Sequence, residues 1–296
     1  IFRGKNFENA GSGTYFTGYH ETIRQYGKDV FAWDESLYLD DKTSRRLASK
    51  TDSGELPSNI TGRHGMSPLA ELPGFDVHSG FLLPWIHACY WGVMKNFWGY
   101  ILMDYTGERP RHVLPKMAKG CTDCKHPRYI ISKLGSHLQI PSDAGRPYLD
   151  ITRYRGSWVM ENYLDWTLSY SPIAHGVLKN LDGGVTLVAW KHLRSACLHY
   201  TSLFGTTEID DDEALLRRKN AEQHLRSYAA IIEKEFPVRM CTLNLHMLVT
   251  QSFKQEDETG PIMHCTEFWV ERFIQICKRA CKNKVVDNPE IFLANT

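Results

Sequence analysis

At 296 residues, with 42% hydrophobic and 23% charged side chains, the chain has the balance of a globular protein and not of a disordered one. Its length exceeds the usual single-core size, so one large or two smaller domains are expected. A net charge of +1 excludes a surface that is basic all over, and the charge that exists is local, as in the acidic EIDDDE (208–213) and the basic KRACKNK (278–284).

Residues 1–80 are rich in Gly, Asp, Ser and Thr with scattered aromatics, and no period persists, which reads as an irregular N-terminal segment with short elements. Residues 81–296 read as a helical domain. Its first element, WIHACYWGVMKNFWGYILMDY from Trp85, is apolar almost all round and is expected to be a buried helix. The apolar run 80–94 is interrupted by Pro84 and His87 and is too short to span a bilayer, so no membrane partner is expected. A polar connector (106–150) follows, with one short helix near YIISKLGSHL. Four helices come next: about 157–170 with Ser157 as N-cap, 185–204 stopped by Gly205, 211–236 opened by Asp and Glu, and 239–253. After a polar KQEDETGP turn, a last helix is expected over about 265–282. Alternating strands are missing from the last two thirds, so the fold class is mainly α.

Most of the eight Cys stand singly in apolar runs, as at Cys89, Cys197 and Cys277, which suggests reduced, buried thiols of an intracellular protein. The chain opens at Ile1 without a basic-then-apolar leader, so no signal peptide is expected, and the missing initiator Met suggests a fragment. In CTDCKH, Cys121 and Cys124 with His126 or His137 form a candidate zinc site, because CxxC bends two thiolates onto one tetrahedral ion. An exposed thiol pair is the plainer reading. His192 and His199 share a helix seven residues apart, while His87 and His246 lie in apolar stretches where a histidine is usually a hydrogen-bonded core residue. No nucleophile elbow, P-loop, dinucleotide fingerprint or HExxH is present. In the last helix Trp269, Val270, Phe273, Ile276 or Cys277, and Ala280 form an apolar stripe. Glu271, Gln275, Lys278 and Lys282 fall on another face, as in a solvated Glu-to-Lys ladder.

Three blocks together resemble transposases of the CACTA (En/Spm) group and their domesticated relatives. GRHGMSPLAELPGFDVHSGFLLPWIHACYWGVMKNFW (62–98) is similar to that group's Gly-x-Ser-Pro-Leu segment and the helix after it. IPSDAGRPYLDITRYRGSWVMENYLDWTLSYSPIAHGVL (140–178) is similar to its Pro/Arg-rich loop and helix. CTLNLHMLVTQSF…GPIMHCTEFWVERFIQICKR (241–279) is similar to its closing Asn-x-His, Gly-Pro and Phe-x-x-Glu-Arg block. The resemblance implies the helical insertion and last helix of an RNase H-like core, the 1–80 segment being a remnant of that core.

It also implies a DDE carboxylate triad clamping Mg2+ or Mn2+ against a scissile phosphate. Glu271 would be the third carboxylate of that triad, and His246 the first histidine of a zinc-holding pair. DNA at transposon ends, a homo-oligomer and a nuclear location are implied with it. Arg217, Arg218, Lys278, Arg279 and Lys282 are candidates for DNA phosphate contact. Several positions depart from the pattern. Thr250 and Gln251 stand where the second histidine is expected, Pro84 stands where an Asp is expected, and the two core Asp would precede Ile1. The expectation is therefore a transposase-like fragment whose strand cleavage requires an upstream half. The alternative is an inactive domesticated relative serving as a helical DNA- or protein-binding scaffold.

Overall fold

A computed structural model describes residues 41–56, 66, 68–75, 82–138, 147–201, 211–262 and 273. Among these the structure is helical, with no strand. Helix α1 spans Asp41–Asp52, and Arg45 ties it to the following turn by donating from Nη1 to the carbonyl of Ala70 at 2.7 Å and from Nη2 to that of Phe75 at 2.5 Å.

The buried helix expected from Trp85 is present, but its first half is wound as a π-helix, His87–Met94, before continuing as α2, Lys95–Ile101. Gly92 shows what is gained at the centre of that widened stretch. A Cβ there would lie 2.3 Å from Asn244 Nδ2, so only glycine lets the partner helix come this close. Helix α3 is Pro127–His137, with Pro127 at its first turn, where a missing N–H costs nothing. Helix α4, Ile151–Tyr154, is capped by Asp150, whose carboxylate accepts from Thr152 N at 2.9 Å and from Ser132 Oγ at 2.5 Å.

The helix expected from Ser157 begins later. Ser157 Oγ donates back to the carbonyl of Tyr154, and Asn162 Oδ1 accepts from Val159 N, so α5 runs Met160–Asp165. A π-helical turn, Trp166–Tyr170, and a 3-10 turn, Ser171–Ala174, lead to α6, His175–Lys179. The π turn leaves carbonyls to be satisfied, and Arg194 donates to those of Thr167 and Leu168, both at 2.8 Å. Helices α7 (Val185–Tyr200) and α8 (Asp211–Glu235) match their expected spans closely and pack along one another. Helix α9, Leu243–Thr259, is capped by Thr242 and runs through the KQEDET stretch expected to turn. Lys254 and Glu258 pair one turn apart at 3.7 Å, and the helix ends only at Gly260, where φ is +81°.

The core is aromatic. Trp98 meets Trp166 edge-on at 5.0 Å and Trp190 at 5.1 Å, and Phe97 stacks on Trp190 at 5.6 Å. The indole N–H groups of Trp98, Trp166 and Trp190 make no hydrogen bond, so close ring packing must outweigh their lost hydration. Trp85 differs, donating its N–H to Ser252 Oγ at 2.9 Å, while Leu83 N donates to Gln255 Oε1 at 2.6 Å. These two bonds and the Gly92–Asn244 contact bring the first and third resemblance blocks together in space. No described helix is long and apolar enough to cross a membrane.

Candidate functional site

Glu271 lies outside the described residues, as do Lys278, Arg279 and Lys282 and nearly all of the expected last helix. Phe273 is described, and it is 65% exposed. His246 sits on α9, half-buried, and burial lowers its imidazole to a pKa of about 4, so the ring is neutral at physiological pH. One turn on, Thr250 donates its hydroxyl back to the carbonyl of His246 at 2.9 Å, within α9.

Cys121 is half-exposed and Cys124 exposed, both with free thiols, and His126 turns Nε2 to the carbonyl of Lys116 at 3.3 Å. Among the described residues no group of three or more His, Cys, Asp or Glu is placed to hold a metal ion. Cys89 and Cys197 are buried free thiols 3.3 Å apart, and burial pushes Cys89 well up, as expected of inert core cysteines.

Two His–carboxylate pairs invite a catalytic reading, and both are structural clips. His112 Nδ1 bonds Asp182 Oδ2, its Nε2 lies 2.8 Å from the Glu235 carbonyl, and its ring stacks on Phe236 at 4.0 Å. Burial alone would lift the Asp182 carboxyl, but hydrogen bonds from Thr186 and His112 outweigh it and hold the group below its usual range. Both side chains are out of water, so the pair fastens the 109–113 loop to the start of α7 and the end of α8. The second pair, His199 Nε2 and Glu256 Oε2 at 3.1 Å, joins α7 to α9.

Of the cations proposed from sequence, the two that are described each pair with a carboxylate. Arg217 pairs with Glu213 at 2.6 Å, and Arg218 with Asp257 at 3.1 Å. Sequence reasoning missed a different basic spot on α2. Lys95 Nζ lies 3.5 Å over the half-exposed ring of Trp91, and Arg155 Nη1 rests against Gly99, where a Cβ would meet it at 2.7 Å. Lys95 and Gly99 are one helical turn apart, so the two cations share a face. The signal was present as Trp91-x-x-x-Lys95-x-x-x-Gly99, but it has meaning only once Arg155 arrives from 56 positions away. No protein family, curated protein or solved structure matches the chain.

Proposed function

We propose that the chain is a helical scaffold of a transposase-like protein of the CACTA kind, contacting DNA phosphates through its surface and performing no strand chemistry by itself. The observation that carries the scaffold reading is the closure of its buried polar pairs. His112–Asp182 and His199–Glu256 are each consumed in joining helices, which leaves binding to the surface. The nucleic-acid part of the reading rests on the three sequence blocks, two of which meet at Gly92 and Asn244. The test is fluorescence anisotropy of labelled DNA over a salt series, with a plasmid-nicking assay in Mg2+ or Mn2+. The expected outcome is DNA binding that weakens as salt rises, with no nicking. Absence of binding at low salt, or metal-dependent nicking by this chain alone, would sink the reading.

A second reading is favoured by the position of Glu271 after Asn244-x-His246 and Gly260–Pro261. Joined to an upstream half bearing two Asp, the chain supplies the third metal-binding carboxylate, and the assembly works in the nucleus, as an oligomer on transposon ends. In such a longer protein Glu271→Gln abolishes strand cleavage and leaves DNA binding largely intact. Unchanged cleavage would rule out that role.

A further inference from the structure

We propose that Trp91, Lys95 and Arg155 form a binding site for single-stranded nucleic acid, in which the two cations hold adjacent backbone phosphates and the indole stacks an unpaired base. This deepens the scaffold reading above and rests on its nucleic-acid part.

Three features separate this place from ordinary surface charge. Several arginines here have a carboxylate close by: Arg111 pairs with Glu235, Arg153 with Asp150, Arg217 with Glu213, Arg218 with Asp257 and Arg226 with Glu222. The side chains of Lys95 and Arg155 make no ion pair with any described residue, although they lie near enough to repel one another. Partial burial and the Arg155 charge together lower the Lys95 ammonium below its ordinary range. Arg155 also adds to the repulsion on Arg128, whose carboxylate partner, Asp104 at 3.6 Å, is shared with Lys116 at 3.3 Å. Two cations held together against repulsion are stabilised by an anion between them, and a phosphodiester supplies one.

The second feature is the seat itself. Gly99 lets the guanidinium lie directly on the backbone of α2, a close approach that any side chain would block. Arg155 is thereby placed one turn from Lys95, and both cations are carried on short helical elements.

The third feature is aromatic. Trp91 is 40% exposed, whereas the other tryptophans among the described residues are buried, and its ring is braced by Tyr163 at 6.3 Å in an edge-on contact. Tyr154, next to Arg155 in sequence, is also exposed. In the free chain Lys95 caps the braced indole, and its flexible stem lets the ammonium swing onto a phosphate, which opens a π-surface beside positive charge, as an unpaired base with its phosphate requires. A duplex keeps its bases stacked inside and could use only the charge.

The test uses the full 296-residue chain with a fluorescein-labelled oligo(dT) 20-mer and a duplex of the same length, read by anisotropy over a salt series. The expected result is tighter binding of the single strand. Lys95→Gln with Arg155→Gln weakens it about tenfold or more and lowers the salt slope by roughly 1.4, about 0.7 for each lost phosphate contact. Trp91→Ala weakens the single strand about tenfold and leaves duplex binding unchanged, as loss of one stacked base requires. Gly99→Ala keeps every charge and displaces the guanidinium, so it weakens binding too, with circular dichroism confirming the fold of each variant. Arg217→Ala, which removes an exposed cation already paired with Glu213, is the control and has little effect.

If the control weakens binding as much as the double variant, or if the Trp91 and Gly99 variants bind as the wild type does, the proposed site is wrong while nucleic-acid binding stands. If the unaltered chain binds neither strand form, the nucleic-acid reading fails together with the site.

Discussion

Glu233, on the last turns of α8, has both carboxyl oxygens buried and without a hydrogen bond. Burial pushes its pKa up to about 8, with neighbouring Lys234 pulling slightly the other way, so the group carries a proton at neutral pH. Cys241 is pushed up to about 12, chiefly by burial and then by the Glu233 charge, which places the two together in the same dry environment. The linkage has a definite sign. Because the folded-state pKa lies above the ordinary carboxylate value, the folded chain retains a proton that the unfolded chain releases between about pH 4.5 and 8. Stability from this group is full below that window and is lost as pH rises through it. Glu233→Gln stays neutral throughout, so urea unfolding at pH 5 and pH 8 should show a smaller loss for the variant, by on the order of a few kcal/mol. An identical pH dependence in both proteins would mean that the carboxyl is hydrated. His246 has the opposite sign: its pKa of about 4 means stability is lost as pH falls from about 6.5 toward 4.

At the scale of elements, the seam between α7 and α8 carries a titratable contact of its own. His192 Nδ1 and His224 Nδ1 lie 2.9 Å apart, so one ring donates N–H to the lone pair of the other. Burial lowers both groups below the ordinary histidine range, and the charge of His224 lowers His192 further. The folded state therefore prefers the neutral rings. Stability is full above the unfolded value of about 6.5 and falls as protons enter below it, because two imidazoliums cannot share a hydrogen bond. Replacing both by Gln should flatten thermal stability between about pH 6.5 and 5, as followed by circular dichroism. A double variant that melts with the same pH slope as the parent would remove the seam from the list of acid-sensitive contacts.

Element boundaries show how local chemistry can mislead. Ser157 has the side chain of an N-cap, yet its hydroxyl is taken by the preceding turn. The polar KQEDET stretch looks like a turn, yet packing of Ser252 and Gln255 against Trp85 and Leu83 carries α9 past it to the first residue that demands a positive φ.

Across the whole molecule, the packing of the helices depends on glycines that act as contact surfaces. Gly92 receives Asn244, Gly99 receives Arg155 and Gly135 receives the ring of Tyr148, each closer than a Cβ permits. Gly92→Ala should destabilise the fold by about 1–3 kcal/mol through overpacking of α9 against the π-helix. Asn244→Gly in the same chain should recover much of that loss, a coupling that a double-mutant cycle measures. Additive effects would show that the two residues do not share the contact. Around these contacts Trp98, Trp166 and Trp190 form one continuous aromatic centre, and Trp190→Ala should cost about 3–5 kcal/mol in chemical denaturation.

The sequence by itself determined that this is a helical protein, and it located α7 and α8 to within a few residues. Apolar periodicity, an acidic first turn and glycine stops act over distances of one or two turns, and residues that close in sequence decide them. It also named the polar groups available for chemistry without saying how each is used. Only tertiary structure decided that His112 meets Asp182, that Arg218 meets Asp257 and that Lys95 and Arg155 lie near one another without a carboxylate partner among the described residues. Those outcomes depend largely on partners tens of residues away, brought together by packing that no local pattern records. The same reason made Gly92 and Gly99 read as ordinary helix-weakening residues until the side chains resting on them were in view.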